Sequence, residues 1–399
     1  VSERSREYLD DIVKYAKLSP SRYQTIDIGP SSMVDIYHAI KNHSKGKKGP
    51  MAIDVTGGKK VMSAGAALTG AYYDMDIFYL DSTKYDPARR STGPGSEFVV
   101  KIDNPFRVFG DLELYEAVKL CQRYDFTGAL GVLRPALKRV SEPQVFELYV
   151  NVAEAYRTWD DFNFSETCKN LDRAVKDIDR FRLNQAWKAR LQDQLELLRP
   201  LQRIDNIAHL DLLVQKKLVW PLIGSIYANA LRREEQGRLD FSALLLYRTM
   251  EMLSQMRLAS WGVSSNRPDY SKLEIPKDML TSSFKEIQRD LYKDSYVDKA
   301  LPAVIGLMDG LALLKAIDDP WGRSLDLSAV KNGIDSRNNS ILAHGISLVD
   351  RKTYGQMKTV VDRALETAWE TQPAGEGSWA DYIQRFEFVF QDQLLEVDR

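Results

Sequence analysis

The stretch Met51-Ala-Ile-Asp-Val-Thr-Gly-Gly-Lys-Lys-Val-Met-Ser-Ala-Gly65 runs from a short apolar, β-rich segment through a glycine turn into a helix-forming run. Met51–Val55 reads as a buried strand and Lys59–Tyr73 as the helix after it, with the small residues Ala64, Gly65, Ala66 and Ala67 allowing close approach to a sheet. The same alternation extends on both sides. A helix over Ser2–Leu18 precedes a strand over Tyr23–Ile28, and a helix follows over Ser31–Asn42. Beyond the glycine turn come strands at Asp76–Leu80 and Phe98–Ile102, the second after a Thr92-Gly-Pro-Gly95 loop. Helices alternating with short strands predict an α/β domain over residues 1–104, a doubly wound parallel sheet covered on both faces. Such a unit normally opens on a strand. This chain opens on a helical pattern at Val1, so a first strand is expected upstream of it.

Residues 105–205 carry helical periodicity and no strand signal, punctuated by Pro135, Pro143 and Pro200. They predict an all-α connector without chemistry of its own. Residues 206–399 are again helical. A helix begun near Leu212 continues to Gln236, Gly237 breaks it, and Asp240 caps the next. That next helix, Phe241–Trp261, is apolar on most sides and is expected at the centre of a bundle, with Arg248, Glu251 and Gln255 as a narrow polar stripe. A loop is expected over Ala259–Pro276, then helices near Asp298–Ile317, Leu327–His344, Arg351–Thr371 and Trp379–Leu395. Arg232 and Arg233 read as a solvated face paired with Glu235 and Glu234, or as contacts to a nucleic-acid backbone.

At 399 residues, with 44% hydrophobic and 28% charged side chains, the chain suits two or three soluble domains. A net charge of −1 argues against a dedicated duplex-DNA surface and leaves room for a local basic groove. Two cysteines, Cys121 and Cys168, imply a reducing compartment, here the cytoplasm, and no disulfide framework. No zinc spacing is present. The longest apolar run, Leu301–Ile317, is too short to span a bilayer, and no signal peptide is visible.

Leu327-Ser-Ala-Val-Lys-Asn-Gly-Ile-Asp-Ser-Arg-Asn-Asn-Ser-Ile-Leu-Ala-His-Gly345 holds the most suggestive side chains. At steps of three and four, Leu327, Val330, Ile334 and Ile341 form an apolar stripe that also takes in Arg337 and His344. On one helix those two would lie two turns, about 10 Å, apart. Asn338 lies about 100° round from Arg337. A cation on an apolar face needs a partner, because burying it unpaired costs several kcal/mol. Two readings follow: a satisfied structural pair, or a functional site. The seam repeats in heptads, so an antiparallel two-fold contact with a second copy would bring two Arg/His sets together.

The string Arg337-Asn338-Asn339-x-x-x-Ala343-His344-Gly345 resembles the active-site motif of HEPN ribonucleases. Thr56-Gly57-Gly58-Lys59-Lys60-x-Met62 resembles the Thr-Gly-Gly-Thr-Lys-x-Met signature of CARF domains, with Lys59 in place of the second threonine. Taken alone, that turn is a ligand loop or simply a tight connection. Tyr227–Phe241 and Leu246–Leu253 are similar to the entry helices of one branch of the same proteins. A CARF-like domain first and a HEPN-like domain last is the architecture of the ancillary ribonucleases of type III CRISPR systems, with residues 1–104 as sensor and 206–399 as nuclease.

The resemblance implies a cyclic oligoadenylate, tetra- or hexa-adenylate, as allosteric activator. Its candidate contacts are Gly29, Ser31, Thr56, Gly57, Gly58, Lys59, Lys60 and Asp81. It further implies cleavage of single-stranded RNA by a homodimer, with Arg337, Asn338 and His344 as catalytic residues and no metal or other catalytic cofactor. His344 would act as general acid or base, Arg337 would hold the phosphate, and Asn338 would orient a phosphate oxygen or the histidine. The alternatives are a non-catalytic nucleotide-sensing adaptor, or a CARF-like domain that itself degrades the ring.

Overall fold

The computed structural model describes residues 6–29, 32–88, 91–338, 341–342 and 345–391. Two compact units divide them, Val1–Tyr115 with Arg134–Pro143 and Glu116–Leu133 with Gln144–Arg399. The residues expected as a connector contribute to both.

The first unit is built round a small sheet. Helix α1 (Leu9–Tyr15) and helix α2 (Met33–Ser44) precede strand β1 (Ala52–Asp54), helix α3 (Lys60–Tyr72) and strand β2 (Asp76–Ser82). Strands β1 and β2 are parallel, Ala52 beside Asp76 and Asp54 beside Phe78, as the strand–turn–helix reading requires. After a two-stranded hairpin, β3 (Tyr85–Asp86) with β4 (Ser91–Thr92), strand β5 (Glu97–Ile102) pairs with β2 antiparallel, Ile77 against Ile102 and Ser82 against Glu97. The order is β1-β2-β5, so the sheet is mixed where a wholly parallel one was expected. The cause lies in the connection: residues 83–96 hold a hairpin where a parallel return needs a crossover helix. Tyr23–Ile28, expected as a strand, enters no ladder. Its alternation favours extended backbone, and among the described residues that backbone carries no strand assignment.

Close packing of α3 rests on glycines facing opposite ways. A Cβ on Gly70 would fall 2.7 Å from Ile53 of the sheet, and one on Gly65 would fall 3.0 Å from Met33 of α2. Ala66 and Ala67 do face the sheet, against the buried cluster Val55, Ala71 and Ile77.

Helices α4 (Pro105–Phe109), α5 (Asp111–Gln122), α6 (Phe126–Leu137), α7 (Pro143–Asp160), α8 (Phe164–Phe181) and α9 (Gln185–Leu198) follow. Next come α10 (His209–Val214), α11 (Lys216–Glu235) and α12 (Leu239–Ser260), then α13 (Lys277–Tyr292), α14 (Leu307–Ala316), α15 (Pro320–Ser324), α16 (Leu327–Asn338), α17 (Arg351–Thr371) and α18 (Trp379–Gln384). Helix α12 is central as expected, with Leu246, Met250, Leu253 and Met256 buried and α11, α14 and α17 packed round it. Helix α13 is an addition to the sequence reading. The helix expected over Asp298–Ile317 begins only at Leu307, because Pro302 and Gly306 precede it. No helix among the described residues is long and apolar enough to cross a membrane.

Helix α18 ends at Gln384, short of the expected Leu395, and the chain continues as a strap, Phe386-Glu-Phe-Val-Phe390. The three Phe rings are all buried and meet aromatic side chains of the α7–α9 helices. Phe388 stacks on Tyr156 at 3.9 Å between centroids, Phe390 packs edge-on to Trp187, and Phe386 meets Trp159. Polar bonds fix the register. Gln194 Nε2 donates to the carbonyls of Arg385 and Glu387, Val389 N–H donates to the Tyr156 hydroxyl, and Arg385 forks onto Asp193 at 2.7 and 2.9 Å. Gly224 of α11 leaves the space that the Phe386 ring occupies.

Candidate active site and ligand loop

Helix α16 starts where Asp326 accepts the N–H groups of Ser328 and Ala329, an N-terminal cap. Leu327, Val330 and Ile334 are buried, and Met357 of α17 closes over Gly333, so the apolar stripe does seek a partner. The helix ends at Asn338, not at His344. Ile341 and Leu342 lie in a turn, and Ile341, expected on the seam, is 57% exposed with its N–H bonded to Ser347 O. A continuous heptad seam from Leu327 to His344 is therefore not formed. Arg337 and Asn338 close α16 in backbone terms; their side chains, and His344 entirely, lie outside the described residues.

The segment after the motif returns to the body of the unit at Val349, whose N–H donates to Asp240 Oδ1 at 3.1 Å. Asp350 then caps α17 by accepting from the N–H groups of Lys352 and Thr353 and from the Thr353 hydroxyl, which hold its carboxyl below the usual range. In the first turn of α17, Tyr354 reaches Glu234 and Ser242. Burial, first of all, pushes its phenol up.

Arg232 and Arg233 are not a solvated face paired with Glu235 and Glu234. Arg232 donates through Nε to Asp160 Oδ1 at 2.8 Å and lies over the Phe388 ring at 4.2 Å, while Arg233 donates to Asp160 Oδ2 at 2.5 Å. Asn229 adds a bond to the Asp160 carbonyl. Asp160, at the end of α7, lies far upstream in sequence, whereas Glu234 and Glu235 were the local partners on offer. Glu234 instead takes Tyr354, and Glu235 takes the Tyr124 hydroxyl. The stripe on α12 is a half-exposed ion pair, Arg248 to Glu251 at 3.1 Å.

The glycine turn lies at the carboxyl ends of β1 and β2, the edge where open α/β sheets receive ligands. Thr56 does structural duty there. Its hydroxyl donates to Asp54 Oδ1 at 2.5 Å and accepts the Leu80 N–H at 2.7 Å, so one side chain clasps both strand ends and brings the turn beside Asp81. Gly57 has open space where a Cβ would stand, and Gly58 takes φ +97°, which a side chain would strain. Lys59 is the N-cap residue of α3 but makes no side-chain cap; it and Lys60 are exposed, leaving cationic side chains at the positive helix end. Asp81 is exposed and accepts the Ser82 N–H. Gly29 sits instead against Asp35 and Ser32 at the start of α2, and Ser31 lies outside the described residues. Asp54 is a member of this turn that sequence reasoning missed. Among the described residues no cluster of three or more His, Cys, Asp or Glu side chains could hold a metal ion.

Comparison with known proteins matches residues 109–204 to the Csm6 6H domain and residues 212–368 to the Csm6 HEPN domain. The CRISPR system endoribonuclease Csm6 of Thermus thermophilus is 29% identical over 340 residues, covering 82% of this chain and 71% of that protein. Among solved structures, Enterococcus italicus Csm6 bound to cyclic hexa-2'-fluoro-hexa-dAMP superposes with a TM-score of 0.52, at 14% identity, over 92% of this chain and 82% of that one, a likeness of fold. Two successive Csm6 domains, 6H and then HEPN, thus take up most of residues 109–368.

Proposed function

We propose that the protein is a metal-independent endoribonuclease that cuts single-stranded RNA in CRISPR defence in the cytoplasm, switched on by a cyclic oligoadenylate. The observation that carries this reading is the HEPN match over residues 212–368, which includes Arg337, Asn338 and His344. The nucleophile is the substrate's own 2′-hydroxyl, attacking the adjacent phosphorus to leave a 2′,3′-cyclic phosphate and a 5′-hydroxyl. His344 moves the proton, Arg337 holds the phosphate and the charge that grows on it, and Asn338 orients a phosphate oxygen.

Residues 1–104 form the sensor, 105–205 the connector and 206–399 the nuclease. The activator sits over Thr56, Gly57, Gly58, Lys59 and Lys60, with Gly29, Ser31 and Asp81 at its margin. The complex of the Enterococcus italicus relative with a cyclic hexanucleotide analogue supports that class of ligand. The working form is a homodimer that pairs two motif helices. Exposed apolar side chains beside the motif, Ile341, Ile346 at 94% and Leu348 at 74%, support such a face.

The test is cleavage of labelled single-stranded RNA in EDTA, with and without cyclic tetra- or hexa-adenylate. Stimulation by one ring size is expected. His344→Ala is expected to lower the rate at least about a hundredfold while the dimer persists; full activity in that variant rejects the reading, and ligand binding without any cleavage points to the adaptor.

A further inference from the structure

The stretch between the candidate histidine and α17 is poorly held by packing. Ile346 and Leu348 face outward, and the bond from Ile341 N–H to Ser347 O closes the stretch on itself instead of on the body of the unit. Within one copy its position therefore depends on what grips it next, whatever the partner copy of the proposed dimer adds. The first grip is Asp240 on the Val349 N–H, which leaves only residues 345–348 between that bond and His344. The second is Tyr354, 3% exposed, with its hydroxyl 3.0 Å from Glu234 Oε2 and 2.7 Å from Ser242 Oγ. Ser242 also donates to Ala230 O at 2.7 Å, so two hydroxyl protons are shared among three short contacts, a tightly coupled cluster.

Both grips come from one place, the turn from α11 into α12 that holds Glu234, Asp240 and Ser242. That turn is itself fixed from behind. Arg232 and Arg233, just before it, hold the buried Asp160 carboxylate at the end of α7. Gln236, in the turn, donates to the Arg123 carbonyl and accepts from Arg233. The turn is thus bonded to the α7 end on one side and to the residues that follow the motif on the other.

We propose that Tyr354 and Asp240 are positioning residues for RNA cleavage: they seat residues 345–350 on the α11–α12 turn and so fix where the histidine meets the phosphate. The proposal rests on the ribonuclease reading above. Neither residue touches substrate. Their effect is geometric, and a misplacement near 1 Å costs a reaction of this kind up to about a hundredfold.

Cleavage kinetics and thermal unfolding of the full chain, with cyclic tetra- and hexa-adenylate each at saturation, decide it. Tyr354→Phe and Asp240→Ala are expected to lower kcat by roughly tenfold to a hundredfold, with KM for RNA within about twofold. Asp240→Asn keeps an acceptor oxygen for Val349 and is expected to restore most of the rate. Tyr227→Phe is the matched control. That buried tyrosine also links α11 to α17, donating to Asp362 at 2.7 Å, but two turns further along α17. It is expected to lose comparable stability and keep its kcat. Unchanged kcat in Tyr354→Phe and Asp240→Ala, or an equal loss in Tyr227→Phe, overturns the positioning role. Wild-type cleavage by Arg337→Ala overturns instead the ribonuclease assignment beneath it.

Discussion

In the helical unit Trp159, Trp220, Trp321, Tyr156, Phe386, Phe388 and Phe390 are wholly buried, whereas in the sheet unit Val99 is 66% exposed and Tyr72 67%. The contrast is not one of composition, since both units are rich in aromatic and β-branched residues. It is one of closure. The helical unit folds its own end back as a strap and satisfies its buried charges internally, Asp160 with two arginines and Asp319 with Arg257 and Trp261. Among the described residues the sheet unit has a three-stranded sheet and a two-stranded hairpin, a cluster of few side chains and apolar groups of α3 and β5 left facing outward. A sheet so narrow is marginal alone and gains most from being covered. Among the described residues the large buried core therefore belongs to the helical unit, and the thin one to the sheet unit.

Three experiments break or sharpen that contrast. Asp160→Ala strands two arginines in a buried site and is expected to cost the helical unit about 3–5 kcal/mol, read as a lower urea midpoint. A loss below about 1 kcal/mol would mean that the unit is not held by this junction. Next comes Gly224→Ala, whose added methyl overlaps the Phe386 ring. The expected cost is about 1–3 kcal/mol, with increased proteolysis after Arg385 as the strap lifts. A neutral result would mean that the strap repacks freely. The smallest effect is expected in the sheet unit. Thr56→Val removes the hydroxyl that joins Asp54 to Leu80, for about 1 kcal/mol. Its larger consequence is a weaker grip on cyclic oligoadenylate, measurable by calorimetry; unchanged affinity would detach the turn from the ligand.

What could be read in the sequence was whatever depended on near neighbours. The strand–turn–helix of residues 51–72 and the helix Arg351–Thr371 follow from local periodicity, and the latter's ends agree with the structure residue for residue. The helix Lys277–Tyr292 escaped because Pro276 and a polar first turn hide its start beside a loop rich in Gly, Ser and Asn. Partners distant in sequence were out of reach. Nothing near Arg232 names Asp160, and nothing near Thr56 names Leu80. Phe386-x-Phe-x-Phe390 is passed over by a helical reading, because the slot that takes its rings lies far upstream in sequence. The motif of Arg337, Asn338 and His344 is carried by sequence and by the proposal above, while the helix expected to carry all three stops after the second of them.

The strap also sets an order of events during synthesis. The α7–α9 helices leave the ribosome long before Phe386–Phe390, and their aromatic slot, formed by Tyr149, Tyr156, Trp159 and Trp187, then gapes. Domains assemble from the amino end as they emerge. A nascent chain halted anywhere before the strap thus carries an unfilled core, and a cell making an RNA-destroying protein gains a safeguard: unfinished copies are soft, and food for proteases.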